Sequence, residues 1–240
     1  MADKYRLDVE LVRRGLVPTR SQAESYVKLG QISVNGKLIT KPGSSVSDND
    51  DVILLATEQY VSRAGLKLAS VARALKLDFN GKVMLDVGSS TGGFTDYALQ
   101  HGAKKVIAVD VGTNQLHPKL RVNPHIELHE KTDIRDFKPT EHIDITVMDV
   151  SFISLRLILP HIAKITDKDT QIVAMLKPQF EAENSGLKHK GVIKNDAMRR
   201  SILKDFEAWA QKLFIIQDKA DSEISGAKGN TERFYLLRAL

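Results

Sequence analysis

The most informative segment of this chain of 240 residues is Lys82-Val-Met-Leu-Asp-Val-Gly-Ser-Ser-Thr-Gly-Gly93. Its apolar run, Val83 to Leu85, predicts a buried parallel strand that stops at Asp86 and opens into a glycine-rich turn. Residues 94–100 predict a helix, which His101-Gly102 ends. A strand, a tight turn and a helix N-terminus in this order predict a pocket of nucleotide size, because glycines let backbone N–H groups approach a ligand closely.

The next apolar run, Val106 to Val109, ends in Asp110, about twenty residues after Gly88. A carboxylate at this place can accept hydrogen bonds from both ribose hydroxyls of an adenosine. Because the glycines stand at 88, 92 and 93, the dinucleotide spacing G-x-G-x-x-G is absent. The pattern resembles the S-adenosylmethionine pocket of class I methyltransferases, with an ordinary strand-to-helix turn as the alternative. The candidate cofactor-binding residues are Asp86, Gly88, Ser89, Gly92, Gly93, Phe94, Asp110, Asp149 and, for the adenine edge, Asp133.

The composition, 42% hydrophobic and 27% charged residues, is that of a soluble globular protein with a substantial core. The charged N-terminus lacks the apolar region of a signal peptide, and apolar runs such as Val52 to Ala56 are too short to cross a bilayer. The chain contains no cysteine, which fits a reducing compartment, so we expect a cytoplasmic protein. The absence of cysteine also excludes methylation at carbon 5 of a pyrimidine through a covalent thiolate adduct.

Positive charge is concentrated in two segments, although the formal net charge of the chain is only +5. Lys4 to Lys41 contains eight Lys or Arg and three acidic residues, and Lys188 to Lys204 contains six and one. Two basic segments on a soluble protein suggest a polyanionic partner, most simply nucleic acid. Two solvated surfaces are the alternative.

The N-terminal segment predicts a small α+β domain. One helix ends at Gly15, and a second, capped by Thr19 or Ser21, covers Gln22–Leu29. Asn35-Gly36 predicts the turn of a hairpin, and Val52 to Leu55 predict a last strand. The predicted order is α-α-β-β-β.

This segment closely resembles the RNA-binding module named after ribosomal small-subunit protein four. The resemblance rests on Arg6-Leu-Asp, Arg13-Arg-Gly, Thr19-Arg-Ser-Gln-Ala, Val34-Asn-Gly-Lys and Lys41-Pro-Gly, and covers residues 6–55. In such a module Arg and Lys contact RNA phosphates and shape rather than base edges. A small structural cap is the alternative. The residues to which the resemblance assigns RNA binding are Arg6, Arg13, Arg14, Arg20, Lys28 and Lys37.

From Ser62 onward, helix and strand patterns alternate, which predicts an α/β, Rossmann-like class I fold with a mostly parallel, seven-stranded sheet. Ligands of such sheets bind outside the carboxyl ends of the strands. Strands are predicted near 82–86, 105–110, 126–129, 143–149, 170–177, 214–219 and 234–237, and helices near 62–76, 93–101, 154–165 and 195–212.

Two charged residues end apolar central strands of this predicted sheet. Ile145-Thr-Val-Met is followed by Asp149, and Ile172-Val-Ala-Met-Leu is followed by Lys177. Either residue alone could form a structural salt bridge, but two of them beside a predicted cofactor pocket favour a functional site. The amino-methyltransferase pattern Asn/Asp-Pro-Pro-Tyr/Phe is replaced by Asp149-Val-Ser-Phe152, which makes an oxygen nucleophile more attractive.

A ribose 2′-hydroxyl is a poor nucleophile and needs a base near the transferable methyl group. Lys177 can be this base if burial and nearby positive charge favour its neutral amine. Lys67, on the polar side of a predicted helix, could supply that charge, and Glu232 could hold the lysines in place.

These residues resemble the Lys-Asp-Lys-Glu tetrad of the FtsJ-like ribose 2′-O-methyltransferases, carried over as Lys67, Asp149, Lys177 and Glu232. The whole chain resembles the TlyA family, which joins the small RNA-binding domain to such a methyltransferase. The resemblance implies S-adenosylmethionine-dependent 2′-O-methylation of ribosomal RNA. The predicted domains are 1–57 for RNA binding and 63–240 for methyl transfer, with a linker at 58–62. One departure is Ala64-Gly65-Leu66, where Gly-Gly-His or a similar sequence is expected, so Arg63 is the alternative to Lys67.

Two other functions stay open at this point. Members of the family are often labelled haemolysins, but a cytolytic membrane protein needs an inserting hairpin or a strongly amphipathic basic helix, and neither is evident. The other is a non-catalytic RNA-binding factor, against which the intact acidic and lysine residues argue. His125 and His129 would lie roughly 13 Å apart on a strand, so no metal site is predicted.

Overall fold

The computed structural model describes residues 4–240 apart from 58, 183–185, 187–190, 194, 227 and 228. Its N-terminal part contains two helices and two small antiparallel sheets. The helices are α1 (Leu7–Arg13) and α2 (Arg20–Lys28), and the strands are β1 (Lys4–Arg6), β2 (Ile32–Val34), β3 (Lys37–Leu38), β4 (Ser45–Ser47) and β5 (Val52–Leu54). β2 lies between β3 and β5 in one sheet, and β1 pairs with β4 in the other.

The predicted order α-α-β-β-β omits β1 and β4, and the structure corrects it. Each of these strands holds a single apolar residue between polar ones and adjoins no hairpin dipeptide such as Asn35-Gly36, so the sequence offers no signal for it. They form a sheet because Tyr5 pairs with Val46, whose side chain is buried in the core. Thr19 does cap α2, since its side-chain oxygen accepts a hydrogen bond from the Gln22 backbone N–H at 3.2 Å.

The larger part contains a seven-stranded sheet in the order β11-β12-β10-β9-β6-β7-β8. Its strands are β6 (Val83–Val87), β7 (Lys105–Val109), β8 (Ile126–His129), β9 (Ile145–Met148), β10 (Gln171–Leu176), β11 (Phe214–Asp221) and β12 (Arg233–Ala239). Its helices are α3 (Arg63–Ala72), α4 (Gly93–Gln100), α5 (Pro118–Arg121), α6 (Leu159–Ile165), α7 (Pro178–Glu181) and α8 (Asp196–Ala210). The strand β12 runs antiparallel to the other six strands of this sheet. The predicted α/β fold with a mostly parallel sheet of seven strands is confirmed.

Apolar residues on both faces of the central strands explain why this sheet is buried. Every residue of β6 is buried. Because successive side chains of a strand point to opposite faces, Met84 packs with residues of α3, α4 and the N-terminal part, and Leu85 packs with residues of α6 and α8. The continuous apolar runs in the sequence therefore correspond to strands covered on two sides.

Two predicted helices are shorter in the structure. The helix predicted at 154–165 begins as a 3₁₀ turn at Leu155–Leu157, and α6 starts only next to Pro160, a residue suited to the first turn of a helix. The helix predicted at 62–76 ends at Ala72, and Lys76 has a φ of +52°, which an α-helix does not contain.

Residues 59–62, here called the connector, join the two parts and are bonded to both. The Gln22 side-chain amide on α2 donates to the Tyr60 carbonyl at 2.9 Å. From the other side, the Asp96 carboxylate on α4 accepts a hydrogen bond from the Val61 backbone N–H at 2.7 Å. The connector therefore holds α2 against the larger part.

Candidate active site

Two adjoining cavities open at the carboxyl ends of β6, β7 and β9, where parallel sheets bind their ligands. The larger, of about 460 Å³, is lined by Asp110 and Asp133 among others. The smaller, of about 170 Å³, is lined by Asp86, Ser89 and Phe94. Residues that line both cavities are Gly88, Ser90, Asp149 and Ser151.

Backbone N–H groups hold the Asp110 carboxylate in the larger cavity. One oxygen accepts from Ser90 N at 2.8 Å and the other from Gly112 N at 2.7 Å. The turn approaches this cavity closely because Gly88 adopts a φ of +78°, and a Cβ there would lie 3.2 Å from the Asp149 carbonyl oxygen. Asp110 thus stands where the sequence predicts a ribose-binding carboxylate.

Asp133 reaches the same cavity, but its carboxylate is already engaged. It accepts hydrogen bonds from the Arg135 backbone N–H at 2.9 Å and from the Arg135 guanidinium at 2.6 Å. These bonds lower the pKa of Asp133 to about 2. The carboxylate is therefore charged at neutral pH and less available to an adenine edge than the sequence predicts.

Asp86 is a buried carboxylate with unused bonding capacity. One oxygen accepts from Thr95 Oγ1 at 2.6 Å, while the other has no hydrogen-bond partner among the residues that the structure describes. Burial raises the pKa of Asp86 to about 7, and the charge of Asp149 adds to this rise while the hydrogen bond from Thr95 opposes it. A positively charged ligand in the smaller cavity would supply the missing charge.

Gly92 and Gly93 have a packing role in the structure. They are not among the residues lining the two cavities. A Cβ at Gly92 would collide with Leu120, and one at Gly93 would lie 2.7 Å from the backbone nitrogen of Gly65 on α3. Their lack of side chains lets α4 approach α3 and α5, whereas the sequence predicts a role for them in cofactor binding.

The four residues of the predicted tetrad come together from distant parts of the chain. Lys67 lies on α3, Asp149 follows β9, Lys177 follows β10 and Glu232 precedes β12. They form two ion pairs, Lys67 Nζ to Glu232 Oε2 at 2.5 Å and Lys177 Nζ to Asp149 Oδ1 at 2.6 Å. Lys67, Lys177 and Glu232 are buried. Removing one member of such a pair would leave an uncompensated charge in the interior.

The pairing refines the role predicted for Glu232. This carboxylate forms an ion pair with Lys67, whereas Lys177 pairs with Asp149 and acts on Glu232 through its charge. Burial raises the pKa of Glu232, and the charge of Lys67 acts against that rise. Arg63, the alternative to Lys67, also reaches the cavities around the tetrad, but no ion pair between its guanidinium and Glu232 occurs in the described part of the chain.

Two neighbours of the tetrad were missed in the sequence. Ser151 Oγ accepts a hydrogen bond from Lys177 Nζ at 2.6 Å. Phe152 is 91% exposed and has a φ of +64°, an unusual conformation for a bulky residue. Its ring lies 5.3 Å from that of Phe180. Both residues belong to the sequence Asp149-Val-Ser-Phe152. Their position directly after a predicted catalytic residue is the sequence feature that could have identified them as part of the site.

Comparison with known proteins agrees with this geometry. The model of the FtsJ-like methyltransferases matches residues 60–239, and the model of the S4 domain matches residues 6–52. The 16S/23S rRNA (cytidine-2'-O)-methyltransferase TlyA of Mycobacterium tuberculosis is 36% identical over 245 residues, which covers 99% of this chain and 91% of that protein. The chain belongs to the TlyA family of FtsJ-like methyltransferases.

Two further relatives support this membership. The 23S rRNA (cytidine-2'-O)-methyltransferase TlyA of Campylobacter jejuni is 43% identical over 183 residues, which covers 75% of this chain and 72% of that protein. A solved structure from Streptococcus thermophilus, titled as a hemolysin, has a TM-score of 0.71 and 38% identity, and the match covers 100% of this chain and 90% of that one. Both domains of the TlyA family are therefore present.

In this TlyA-family chain, arginines of the S4 domain surround two buried carboxylates. Arg6 and Arg20 both contact Asp8 at 2.9 Å. Arg13 and Arg14 both contact Glu10 at 2.6 Å. Hydrogen bonds from Arg13 lower the pKa of Glu10 to about 2 in spite of its burial. These arginines are therefore less available to bind RNA phosphates than arginines without such ion pairs would be.

Arg14 differs from the other predicted RNA-binding residues. It donates to the carbonyls of Asp50 at 2.8 Å and Ser47 at 3.0 Å, so it holds a loop of its own domain. Lys28 and Lys37 are exposed. In the second basic segment, Lys188, Lys190 and Lys194 lie outside the described residues, and Arg199 pairs with Asp221 at 2.6 Å.

Two other features bear on the alternatives considered for this family member. Within the described ranges, no helix combines the length and the apolar character that crossing a membrane requires. His142, Asp167 and Asp169 form an exposed group whose potential ligand atoms lie within 4.8 Å of one another, and exposed acidic groups of this kind are common without an ion.

Proposed function

We propose that this chain transfers the methyl group of S-adenosylmethionine to a ribose 2′-hydroxyl of ribosomal RNA in the cytoplasm. The observation that carries the proposal is the buried Lys177, paired with Asp149 at the place where both cavities meet. In its neutral form this amine can accept the proton of a hydroxyl group during transfer. The names of the two TlyA relatives support a ribosomal RNA substrate.

The residues of the two cavities fit S-adenosylmethionine. When bound, this cofactor supplies an electrophilic methyl group on a positively charged sulfur. One Asp86 carboxylate oxygen has no hydrogen-bond partner within the described ranges and suits a cationic ligand, and Asp110 can accept hydrogen bonds from ribose hydroxyls. Ile134 and Ile158 add apolar surface to the larger cavity, as an adenine ring requires.

Lys177 acts as the base in this proposal. In its neutral form, Lys177 Nζ would accept the proton of the 2′-hydroxyl, and the bound cofactor would supply the methyl group, whose bond to sulfur would break as its bond to the hydroxyl oxygen formed. Asp149, 2.6 Å away, stabilises the ammonium group that results. The proton then leaves Lys177 for solvent before the next turnover. Displacement at a methyl group otherwise requires little more than alignment.

A third cavity provides space for the target nucleotide on the other side of Lys177. Its volume is about 350 Å³, and Lys67, Glu232 and Phe152 line it together with Lys177. The Lys67–Glu232 pair forms part of its buried wall. In the proposal this pair keeps the wall in place and positions the ribose, while the S4 domain holds neighbouring RNA through phosphates and shape.

Methylation of ribosomal RNA by the purified protein tests the proposal. Unmodified ribosomal RNA or subunits are incubated with S-adenosylmethionine carrying a labelled methyl group, and 2′-O-methyl positions are mapped. Lys177→Met should keep cofactor affinity but lower the transfer rate by about 10²–10⁴-fold. Lys177→Arg should not restore it, because a guanidinium does not release its proton at physiological pH.

A matched control is Lys164→Met, which changes an exposed lysine on α6 and should leave the rate unchanged. Equal single-turnover rates for Lys177→Arg and the unaltered protein would exclude Lys177 as the base. Label found on base atoms instead of ribose oxygens would exclude the proposed reaction itself.

A further inference from the structure

Ser151 is the acceptor that gives the Lys177 amine a direction. Its Oγ accepts a hydrogen bond from Lys177 Nζ at 2.6 Å. Asp149 Oδ1 is equally close at 2.6 Å, but the contact has the geometry of an ion pair and not of a directed hydrogen bond. Asp149 therefore stabilises positive charge on Lys177 Nζ, whereas Ser151 sets the orientation of this group.

The segment that carries Ser151 is anchored at both ends. The Asp149 backbone N–H donates to the Val87 carbonyl at 3.1 Å, which holds the start of the segment on β6. At its end, the buried Glu181 carboxylate accepts from Ser154 Oγ at 2.8 Å and from the Leu155 backbone N–H at 2.7 Å. Because Glu181 belongs to α7, which Lys177 directly precedes, this clamp fixes the serine segment relative to the lysine.

The chemistry of a neutral amine makes this arrangement significant. A neutral lysine has two N–H bonds and one lone pair, and it must present the lone pair to the proton that it accepts. Because Ser151 Oγ accepts a hydrogen bond from one of these N–H groups, Nζ can turn only about that hydrogen bond, and the negative charge of Asp149 repels the lone pair, which therefore faces away from Asp149. After proton transfer the same two contacts suit the ammonium form, so no rearrangement is needed.

The position of Ser151 matches this task. It lines both cofactor-side cavities and also the third cavity beside Lys67 and Glu232. The serine therefore stands at the boundary between the space for the methyl donor and the space for the nucleotide.

We infer that Ser151 is a positioning residue for the base, which orients Lys177 Nζ so that its lone pair faces the substrate hydroxyl. The inference rests on the proposed role of Lys177. It concerns the rate of transfer and not the binding of either ligand, because the hydrogen bond that Ser151 accepts comes from the lysine.

Single-turnover rates with saturating cofactor and ribosomal RNA test the inference. Ser151→Ala should lower the rate by about 10–100-fold, since small misplacements of a reacting group have effects of this size. The cofactor affinity of this variant, measured by calorimetry, should stay within about twofold of that of the unaltered protein. This result would distinguish an effect on the orientation of Lys177 from an effect on cofactor binding. Ser151→Thr keeps the hydroxyl and should recover most of the rate.

A double variant shows whether the serine acts through the lysine. In a Lys177→Met background, Ser151→Ala should cause little further loss, because the group that it orients is absent. Ser154→Ala is the matched control in the same segment. It removes a hydrogen bond to Glu181, so it should lower the Tm, and its effect on the rate should persist in the Lys177→Met background.

The outcomes separate this inference from the proposed function. If the unaltered protein does not methylate ribosomal RNA, the proposed function fails. If it does, an unchanged rate for Ser151→Ala, no recovery with Ser151→Thr, or an undiminished effect of Ser151→Ala in the double variant overturns the role of Ser151 alone. A large loss of cofactor affinity in Ser151→Ala would make the residue a cofactor ligand and would also overturn it.

Discussion

At the scale of the residue, the carboxylates of the site differ in how their charge is stabilised. Asp110 receives two backbone N–H groups, Asp149 and Glu232 each contact a lysine, and Asp86 receives one hydroxyl group. Asp86 is therefore the residue whose ionised form is least compensated, in a position where the proposed cofactor brings positive charge.

Asp86→Asn should raise the stability of the cofactor-free protein above neutral pH. Burial raises the pKa of Asp86 from 3.8 to about 7, Asp149 and Asp110 add to this effect, and the Thr95 hydroxyl opposes it. The folded state thus holds the proton more tightly than the unfolded state, and the free energy of unfolding falls as the pH rises through this interval. Asparagine does not ionise, so the variant does not lose this part of the free energy of unfolding. Calorimetry should show a higher Tm at pH 8 and little change at pH 4. Each kcal/mol gained in the free energy of unfolding should raise the Tm by roughly 2–4 °C.

The same variant should bind S-adenosylmethionine more weakly, because the amide offers no charge to a cationic ligand. For the unaltered protein, affinity should rise with pH as Asp86 ionises near pH 7. An Asp86→Asn variant with unchanged Tm at pH 8 would contradict the uncompensated charge. Unchanged cofactor affinity would contradict its role in binding.

Asp110→Ala should weaken S-adenosylmethionine binding by about 1–3 kcal/mol, because buried ribose hydroxyls would lose a charged acceptor. Asp133→Ala is the comparison and should have a smaller effect, since Arg135 already occupies that carboxylate. Titration calorimetry measures both. A larger loss for Asp133→Ala than for Asp110→Ala would reverse the assignment of the two residues.

At the scale of the element, two glycines allow α3 and α4 to lie in close contact. A Cβ at Gly65 would come within 2.6 Å of the Tyr60 side chain and 2.9 Å of the Gly93 carbonyl oxygen. One at Gly93 would come within 2.7 Å of the Gly65 nitrogen. Because α3 carries Lys67, the contact between these helices sets the distance from that lysine to Glu232.

Gly93→Ala should therefore reduce both stability and activity. The added methyl group must push α4 away from α3, and overpacking of this kind costs typically about 1–3 kcal/mol. Denaturant unfolding should show the loss of stability, and the transfer rate should fall as Lys67 moves from Glu232. Arg73→Ala, at an exposed position directly after α3, is the control and should change neither. Unchanged stability in Gly93→Ala would show that the contact can relax without cost.

At the scale of the whole molecule, the S4 domain and the methyltransferase domain share an apolar cluster. Leu7 and Tyr26 of the first belong to the same cluster as Leu68 and Met84 of the second. The connector adds hydrogen bonds to Gln22 and Asp96. Cutting the chain at the connector would expose this cluster, so surface charge is a cleaner way to test RNA binding than truncation.

Charge reversal at Lys28 and Lys37 should weaken binding of ribosomal RNA and preserve the fold. Both lysines are exposed, so the change should reduce the dependence of binding on salt by about one counterion for each RNA phosphate that is no longer neutralised. Arg13→Glu should instead lower the Tm, because it leaves the buried Glu10 carboxylate without one of its partners. Salt-dependent binding measurements and calorimetry distinguish these results. Unchanged salt dependence in the double lysine variant would place the RNA on another surface.

The sequence alone predicted the seven strands of the larger part and the helices α3, α4, α6 and α8, because buried strands are apolar runs whose ends are marked by charge or glycine. It did not predict α5 and α7, which have four residues each and so are too short for a helical period. It also determined which residues were candidates for the tetrad. The strands β1 and β4 were not predicted, because each holds one apolar residue between polar ones, whereas β2 and β3 flank the Asn35-Gly36 turn and β5 is an apolar run.

Only the tertiary structure decided how these residues pair. Lys67 and Glu232 are far apart in the chain, and no local pattern shows that they contact each other while Asp149 contacts Lys177. The same holds for the arginines of the S4 domain, which a charge count presents as free cations and the fold places around Asp8 and Glu10. The physical reason is that composition and periodicity report which side chains leave water, whereas the partner of a buried charge depends on where the fold brings separate segments together.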